Sequence, residues 1–476
     1  MTSFPLWRMA EARPGRPAIA QIEKSHSGLF MNRRSGLSVC VHLFAGISLA
    51  LMLSGCGLGN TTGLLAPPPN LYTFETGAEY PAAAVPETLR RTRSEILYVT
   101  DRNPRRDVAG IVADYGDRRS DQMAFGVALV EYGEVDTWDQ LVVQTQGGTN
   151  AGSTRLDPVY IEELVRFPAT PLPYLAGAGR LQATEDARQA YTASVKQMQQ
   201  EISTRLRRTG LDRVMVYVHG FNNEFDDAVG TLANIWHYTG RQSLPMMYSW
   251  PAGSDGPLAY FRDLESGEFS VFHVKEFMRV LSGVPGLERI DIVAHSRGTA
   301  VVTTALRELL IEARALGGNP RARMKTGILV LAAADLDLGV VRQRLVAERF
   351  ADGFEQINIY VNPDDGVLEL SRIIGRVSRL GSVNPKELSE QERKDLASAN
   401  NVSLIIVEGG GTQLGHGYFR ENPAVLSDIV LALRTRAAAG SVFRPLEPVA
   451  LNIYTLHQDY PAEALPAVLD RPAADR

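Results

Sequence analysis

Six short, mostly apolar runs recur along the chain from residue 213 onward, at Arg213–Val218, Pro245–Trp250, Arg289–Ala294, Gly327–Ala332, Gln356–Val361 and Val402–Val407. They lack the apolar–polar alternation of a half-exposed strand, so each reads as a strand buried on both faces. Amphipathic stretches lie between them, at Phe225–Tyr238, Phe269–Leu281, Val340–Arg349 and Pro423–Arg434. After Ser296 the residues Val301, Val302, Ala305, Leu306, Leu309 and Leu310 fall at helical spacing and form one stripe. Upstream, Glu95–Asp101 and Ala124–Tyr132 are strand-like and Asp186–Arg208 is helical. Strand alternating with helix predicts an α/β fold, a mostly parallel central sheet with helices on both faces, entered through one or two antiparallel strands from residues 95–132. Lys386–Asn401 is charged and helix-prone without a strong apolar stripe, and reads as an exposed excursion. The expected organisation is a leader at 1–55, a tether at 56–90, the α/β body at 91–440 and an irregular, proline-bearing tail at 441–476.

Charge and cysteine content narrow the setting. The 476 residues carry a net charge of −5, but residues 1–55 hold six basic and two acidic side chains, leaving −9 on residues 56–476. A body of that sign, with no basic stripe, is not built to neutralise phosphates, and nucleic acid is not an expected partner. The two cysteines, Cys40 and Cys56, both lie at the N-terminal end, so residues 57–476 can form neither a disulfide nor a thiolate metal site.

Arg33 and Arg34 precede Leu37–Leu53, 17 residues without Asp, Glu, Lys or Arg, and Leu53-Ser54-Gly55-Cys56 closes the run. This resembles a bacterial lipoprotein signal. The small residues 54 and 55 suit an extended chain in a peptidase groove, and the Cys56 thiol would take the lipid and become the mature N-terminus. Met31 begins a leader of ordinary length and is an alternative start to Met1. Gly57, where Asp would be the familiar inner-membrane signal, points to the outer membrane facing the periplasm. The competing reading is a transmembrane anchor, because 17 residues just reach the lower spanning limit of about 17.

The candidate chemistry centres on Ala294-His295-Ser296-Arg297-Gly298, which joins a strand to a helix. A serine there can be a nucleophile lifted on a sharp turn, with small residues two before and two after it; the plainer alternative is a helix N-cap. Two carboxylates, Asp364 and Asp365, follow the strand Gln356–Val361, and His416 follows the last strand, giving the order Ser, Asp, His. Asp365 is the preferred acid to orient the histidine, with Asp364 as alternative and Asp335 and Asp337 as weaker substitutes; either residue of the pair could instead cap a helix. His416 suits a general base because an imidazole titrates near neutrality. His219-Gly220-Phe221-Asn222 ends the strand Arg213–Val218, and the amides of Phe221 and Arg297 are the candidate oxyanion hole. His219 then supports that loop or is simply a buried histidine. Asn222, Trp250 and Tyr260 are candidate pocket residues, although core packing explains Trp250 equally well. His237 and His273 lie within helices, His457 in the tail, and His295 should point away from its neighbour Ser296. No H-E-x-x-H, P-loop or G-x-G-x-x-G pattern occurs, so no metal site and no cofactor is expected.

The segments Tyr217–Asn222, Tyr248–Pro251, Ile292–Gly298 and Gly415–Phe419, with the entry segment Leu97–Asn103, resemble a bacterial family of α/β hydrolases of unknown function. The resemblance runs over about residues 94–435 and implies the α/β-hydrolase fold, with Ser296 as nucleophile, Asp365 as acid and His416 as base. Arg297 stands where that family commonly carries Met, and its charge would favour anionic substrates. The expected function is a membrane-anchored serine hydrolase of carboxylic esters, acting on small-molecule or lipid-like substrates through an acyl-enzyme. An acyltransferase or amidase with the same triad, or a non-catalytic envelope scaffold on a hydrolase fold, are the alternatives. The oligomeric state is unread.

The leader yields a first prediction. Cys56→Ser should abolish lipid incorporation and release the protein from the membrane fraction; variant protein that still pellets with membranes would favour the transmembrane anchor.

Overall fold

The structure is a computed structural model that describes residues 63–73, 78–147, 154–177, 180–254, 256, 258–409 and 415–462. Cys56 and the run 37–53 lie outside the described residues. No helix among the described residues is long and apolar enough to cross a membrane.

Strands β1 Arg93–Arg106, β2 Val112–Tyr132 and β3 Leu156–Arg166 come first, followed by a small separate hairpin, β4 Tyr174–Gly177 with β5 Arg180–Ala183. Then come β6 Arg213–Val218, β7 Leu244–Ser249, β8 Arg289–His295, β9 Thr326–Ala332, β10 Gln356–Val361, β11 Val402–Val407, β12 Glu447–Ala450 and β13 Ile453–Leu456. Among the described residues eleven strands form one sheet in the order β12-β13-β11-β10-β9-β8-β6-β7-β1-β2-β3. Every pairing from β13 to β1 is parallel, and the antiparallel pairs, β12–β13, β1–β2 and β2–β3, lie at the two edges. The expected parallel sheet is therefore present, with β1 itself parallel to β7 rather than antiparallel.

The principal helices are α1 Trp138–Thr145, α2 Glu185–Thr209, α3 Phe225–Tyr238, α4 Ala259–Ser282, α5 Gly298–Ala315, α6 Gly366–Gly375, α7 Glu390–Ser398 and α8 Pro423–Thr435. They divide the core into two apolar layers, because alternate residues of a strand face opposite ways. In β6, Met215 and Tyr217 join the layer of α3 and α8, whereas Val214, Val216 and Val218 join that of α4 and α5. Helix α4 begins ten residues before the amphipathic stretch predicted from Phe269, so the candidate pocket residue Tyr260 lies in its first turn. The stretch predicted as a helix from Val340 becomes a π-helical turn, Val341–Val346. The excursion 386–401 carries α7, which buries no residue fully, while Leu388 before it is buried.

Both chain ends depart from expectation. Within the stretch read as a tether, Leu65, Leu71, Tyr72, Tyr80 and Val85 are buried against α3 and α8. Tyr72 donates to the Tyr238 carbonyl at 2.7 Å, Tyr238 donates to that of Ala66 at 2.6 Å, and the Leu71 amide donates to Ser427 Oγ at 3.0 Å. Isolated large apolar side chains among Ala, Pro and Thr carry no period, so only their burial reveals them as core. The tail read as irregular supplies β12 and β13, and its Arg444 is wholly buried. Arg444 donates to Asp428 of α8 at 2.8 and 2.7 Å, to Asn358 Oδ1 at 2.8 Å and to Tyr360 Oη at 3.2 Å.

Removing one partner of so buried a pair leaves the other charged and unsolvated. Arg444→Met should therefore cost about 3–5 kcal/mol in urea unfolding, with part recovered in Arg444→Met/Asp428→Asn. A loss below about 1 kcal/mol, the range of surface pairs, would show that the tail contributes little.

Candidate active site

In the sheet, β6 and β8 are neighbours, but the chain leaves β6 toward β7 on one side and reaches β8 on the other. In open α/β sheets the C-terminal strand ends at such a reversal of strand order are the usual ligand position. Val218 pairs with Ala294 in register, so the loops that follow these strands start side by side.

Ser296 has φ +51°, in the left-handed region that a β-hydroxyl residue enters only when its surroundings hold it there. Its amide donates to the Ala332 carbonyl at 2.9 Å, and its own carbonyl accepts from the Thr299 amide at 3.1 Å and the Thr299 hydroxyl at 2.6 Å. Two glycines let the neighbouring loop press against the turn. A Cβ on Gly220 would meet Ser296 Cβ at 2.7 Å, and one on Gly298 would stand 2.8 Å from the Val218 carbonyl oxygen and closer still to that of His219. The N-cap alternative for Ser296 fails, since Arg297 holds the cap position and Ser296 Oγ is engaged elsewhere.

That engagement is with His416. His416 Nε2 lies 2.9 Å from Ser296 Oγ, and His416 Nδ1 lies 2.8 Å from Asp365 Oδ2. With the carboxylate accepting from Nδ1–H, Nε2 is left to accept the serine proton. Asp365 is wholly buried, and its other oxygen accepts from the Val367 and Leu368 amides, both at 3.0 Å. The helix-capping and histidine-orienting readings of this residue are thus both true, one for each oxygen. Asp364 is exposed, Asp337 caps a short helical turn through the Val340 amide, and Asp335 accepts from Ser371 at 2.8 Å. Burial opposes protonation of His416, but the charge and hydrogen bond of Asp365, with Asp335 and Glu421 behind it, outweigh burial and raise its pKa above the ordinary imidazole value.

Four side chains that the sequence reading did not single out hold this arrangement. Asn362 donates to the Gly415 carbonyl at 3.0 Å, anchoring the histidine loop to the end of β10. Tyr418 donates to the Tyr360 carbonyl at 2.7 Å and accepts from the Ala333 amide at 2.9 Å. Asp263 of α4, its pKa raised by burial, accepts from the Asn222 amide at 3.1 Å and the Gly253 amide at 3.2 Å, joining the loops after β6 and β7. Arg102, fully buried on β1, donates to Ser249 Oγ at 2.8 Å and to the carbonyls of Ala252 and Asn223 at 2.8 and 2.7 Å. Burial brings its pKa down to about 10, so it keeps its charge at neutral pH. A short polar side chain at a strand end carries no periodic signal; for Arg102 the one available hint is an arginine inside the entry segment.

His219 lies beneath the loop rather than in a pocket. It is wholly buried, stacked on Trp250 with ring centroids 5.2 Å apart, and it donates from Nδ1 to the Gly220 carbonyl at 2.9 Å. Burial and then Arg102 push its pKa down to about 3, so it is neutral. Trp250 donates to the His219 carbonyl at 2.8 Å and is buried, so it too supports the loop instead of lining a pocket. Phe221 and Tyr260 are half-buried with ring centroids 5.6 Å apart, and Tyr260 Oη reaches Ser371 Oγ at 3.1 Å. Asn222 is half-buried at φ +52°. The Phe221 amide belongs to the loop that crosses Ser296, and the Arg297 amide follows Ser296 directly, which sets the two donors on one turn-and-loop unit. His295 packs on Phe419 with centroids 4.3 Å apart and reaches the His416 carbonyl at 3.3 Å. His237 and His273 are buried, while His457 sits among the exposed carboxylates Glu408 and Glu447.

A hydroxyl, an imidazole and a carboxylate in this relay are suited to nucleophilic acyl transfer. No curated protein matches the chain. Among solved structures, carboxyl esterase 2 from the mycorrhizal fungus Tuber melanosporum is similar at 11% identity and a TM-score of 0.21. That match covers 52% of this chain and 66% of the esterase, just under two thirds of its length. A family model described as alpha/beta hydrolase of unknown function (DUF900) matches residues 194–434, a span that holds Ser296, Asp365 and His416 together, and the chain belongs to that family.

Proposed function

We propose that the protein is a serine hydrolase of carboxylic esters that works through an acyl-enzyme on Ser296. The observation that carries this reading is the pair of contacts made by His416, 2.9 Å to Ser296 Oγ and 2.8 Å to Asp365 Oδ2. Ser296 Oγ attacks the ester carbonyl while His416 Nε2 takes its proton. The tetrahedral oxyanion is received by the Phe221 and Arg297 amides, and the imidazolium then gives the proton to the departing alcohol. Water, deprotonated by the same histidine, releases the acid and restores the serine. Asp365 keeps the proton on Nδ1 and balances the imidazolium that forms in between. The Ser296 backbone supports the same reading, since a strained left-handed serine at a strand-to-helix turn is what presents a hydroxyl above the sheet. The leader around Cys56 supports a lipid anchor at the bacterial outer membrane, facing the periplasm, so that the esters met there would be small or lipid-like.

Two measurements test the chemistry. A fluorophosphonate probe should label residues 57–476 of the wild type, fail on Ser296→Ala, and react about 10²–10⁴-fold more slowly with His416→Ala. A folded wild type that takes no label would leave the scaffold alternative standing. The base must be neutral to act, and its pKa is raised, so ester hydrolysis should climb with pH through a midpoint above the ordinary imidazole value and level off beyond it. Asp365→Asn should move that limb to lower pH and cut turnover by about 10⁴-fold; an unmoved limb would mean that another group sets it.

A further inference from the structure

Two cavities that take no part in the ester chemistry lie on the α4–α5 side of the sheet and share a wall. The larger, of about 780 Å³, is floored by Leu331 of β9, Ile357 and Ile359 of β10 and Leu404 of β11, with α7 and the π-helical turn Val341–Val346 along its sides. Its volume and mostly apolar lining are those of a small-molecule site, typically about 300–1,000 Å³. Leu331 is the register partner of Ala294, so the cavity begins one strand away from the Ser296 turn. The smaller cavity, of about 190 Å³, is lined by both charged and apolar side chains, Arg297 among them. Val341 and Leu345, both half-buried on the π-helical turn, line the two cavities alike.

Along the smaller cavity Arg379 lies 3.3 Å from Asp335, Arg307 is bridged to Glu348, and Asp337 accepts from the Val340 amide. Arg297 and Arg344 share the lining with Glu268 and Asp337, and neither arginine has an ion pair among the described residues. Arg297 Nε is also buried without a hydrogen-bond partner. The small cavity thus presents two guanidinium groups that have no ion pair among the described residues, next to a long apolar chamber.

We propose that the two cavities form one site for a single-chain anionic amphiphile, a long-chain carboxylate. The head would be held by the guanidinium groups of Arg297 and Arg344, and the hydrocarbon chain would pass Val341 and Leu345 into the large cavity. A guanidinium fork matches a carboxylate in shape as well as charge, and the chain gains by leaving water. Binding at this site does not require a reaction at Ser296, so its test is independent of the hydrolase reading.

The experiment uses Ser296→Ala protein loaded with the fluorescent fatty acid cis-parinarate and displaced by hexadecanoate, hexadecanol or acetate. The proposal expects saturable displacement by hexadecanoate, with hexadecanol about tenfold weaker and acetate inert. Arg344→Met, at an exposed position, should weaken hexadecanoate about tenfold and leave hexadecanol unchanged. Leu396→Trp, which enters the large cavity from α7, should weaken both, with an unchanged melting transition showing that the fold is intact. Absence of saturable parinarate uptake by the folded protein would overturn the site. Equal displacement by hexadecanoate and hexadecanol, with Arg344→Met altering neither, would overturn the carboxylate head.

Discussion

Two loops crowd into one space at the ends of β6 and β8, and the strained backbone of Ser296 depends on that crowding. A left-handed non-glycine residue costs on the order of 1–3 kcal/mol, and such a conformation persists when its neighbours leave no room to relax. Here the room is taken by the His219–Phe221 loop, which reaches the turn because Gly220 and Gly298 lack side chains. The Ser296 amide and carbonyl are both bonded, so the turn cannot flip without losing them. One constraint therefore aims the hydroxyl at His416 and brings the Phe221 amide beside it.

The supports of that constraint are buried and polar, and each acts on more than one element. Arg102 ties β1 to the loops after β6 and β7, and Asp263 ties those two loops to α4. Asp365 caps α6 with one oxygen and orients His416 with the other, so the helix fixes the carboxylate that fixes the imidazole. Buried groups of this kind are costly unless every bond is made. Their near-complete satisfaction gives the site a single geometry instead of several close ones.

The chain ends extend the same body. With Cys56 as the proposed lipid-bearing residue, Leu65 is already part of the core, and the nine residue steps between them span at most about 30 Å. The body would then sit close to the bilayer rather than on a long leash. On the opposite sheet edge, β12 and β13 cover what would otherwise be a bare β11, and Arg444 locks them to α8.

The parallel sheet was legible because strands buried on both faces must be apolar throughout, and the serine, histidine and acid were legible because each follows such a strand. Asp365 was preferred over Asp364 from the sequence, and the geometry separates the two by physical means, burying Asp365 against the histidine and leaving Asp364 exposed. The N-terminal core residues, β3, β12 and β13 carry too little periodicity to be read locally, being short or half polar. Their partners lie tens to hundreds of residues away, as Asn70 shows by bonding to the carbonyls of Gln458 and Tyr460. By itself the sequence determined the layer architecture and the residue types of the relay, because burial on both faces and strand-end chemistry are local properties. Only the tertiary structure decided which loop supports and which cavities surround the relay, because these depend on contacts between segments that the chain order does not place together.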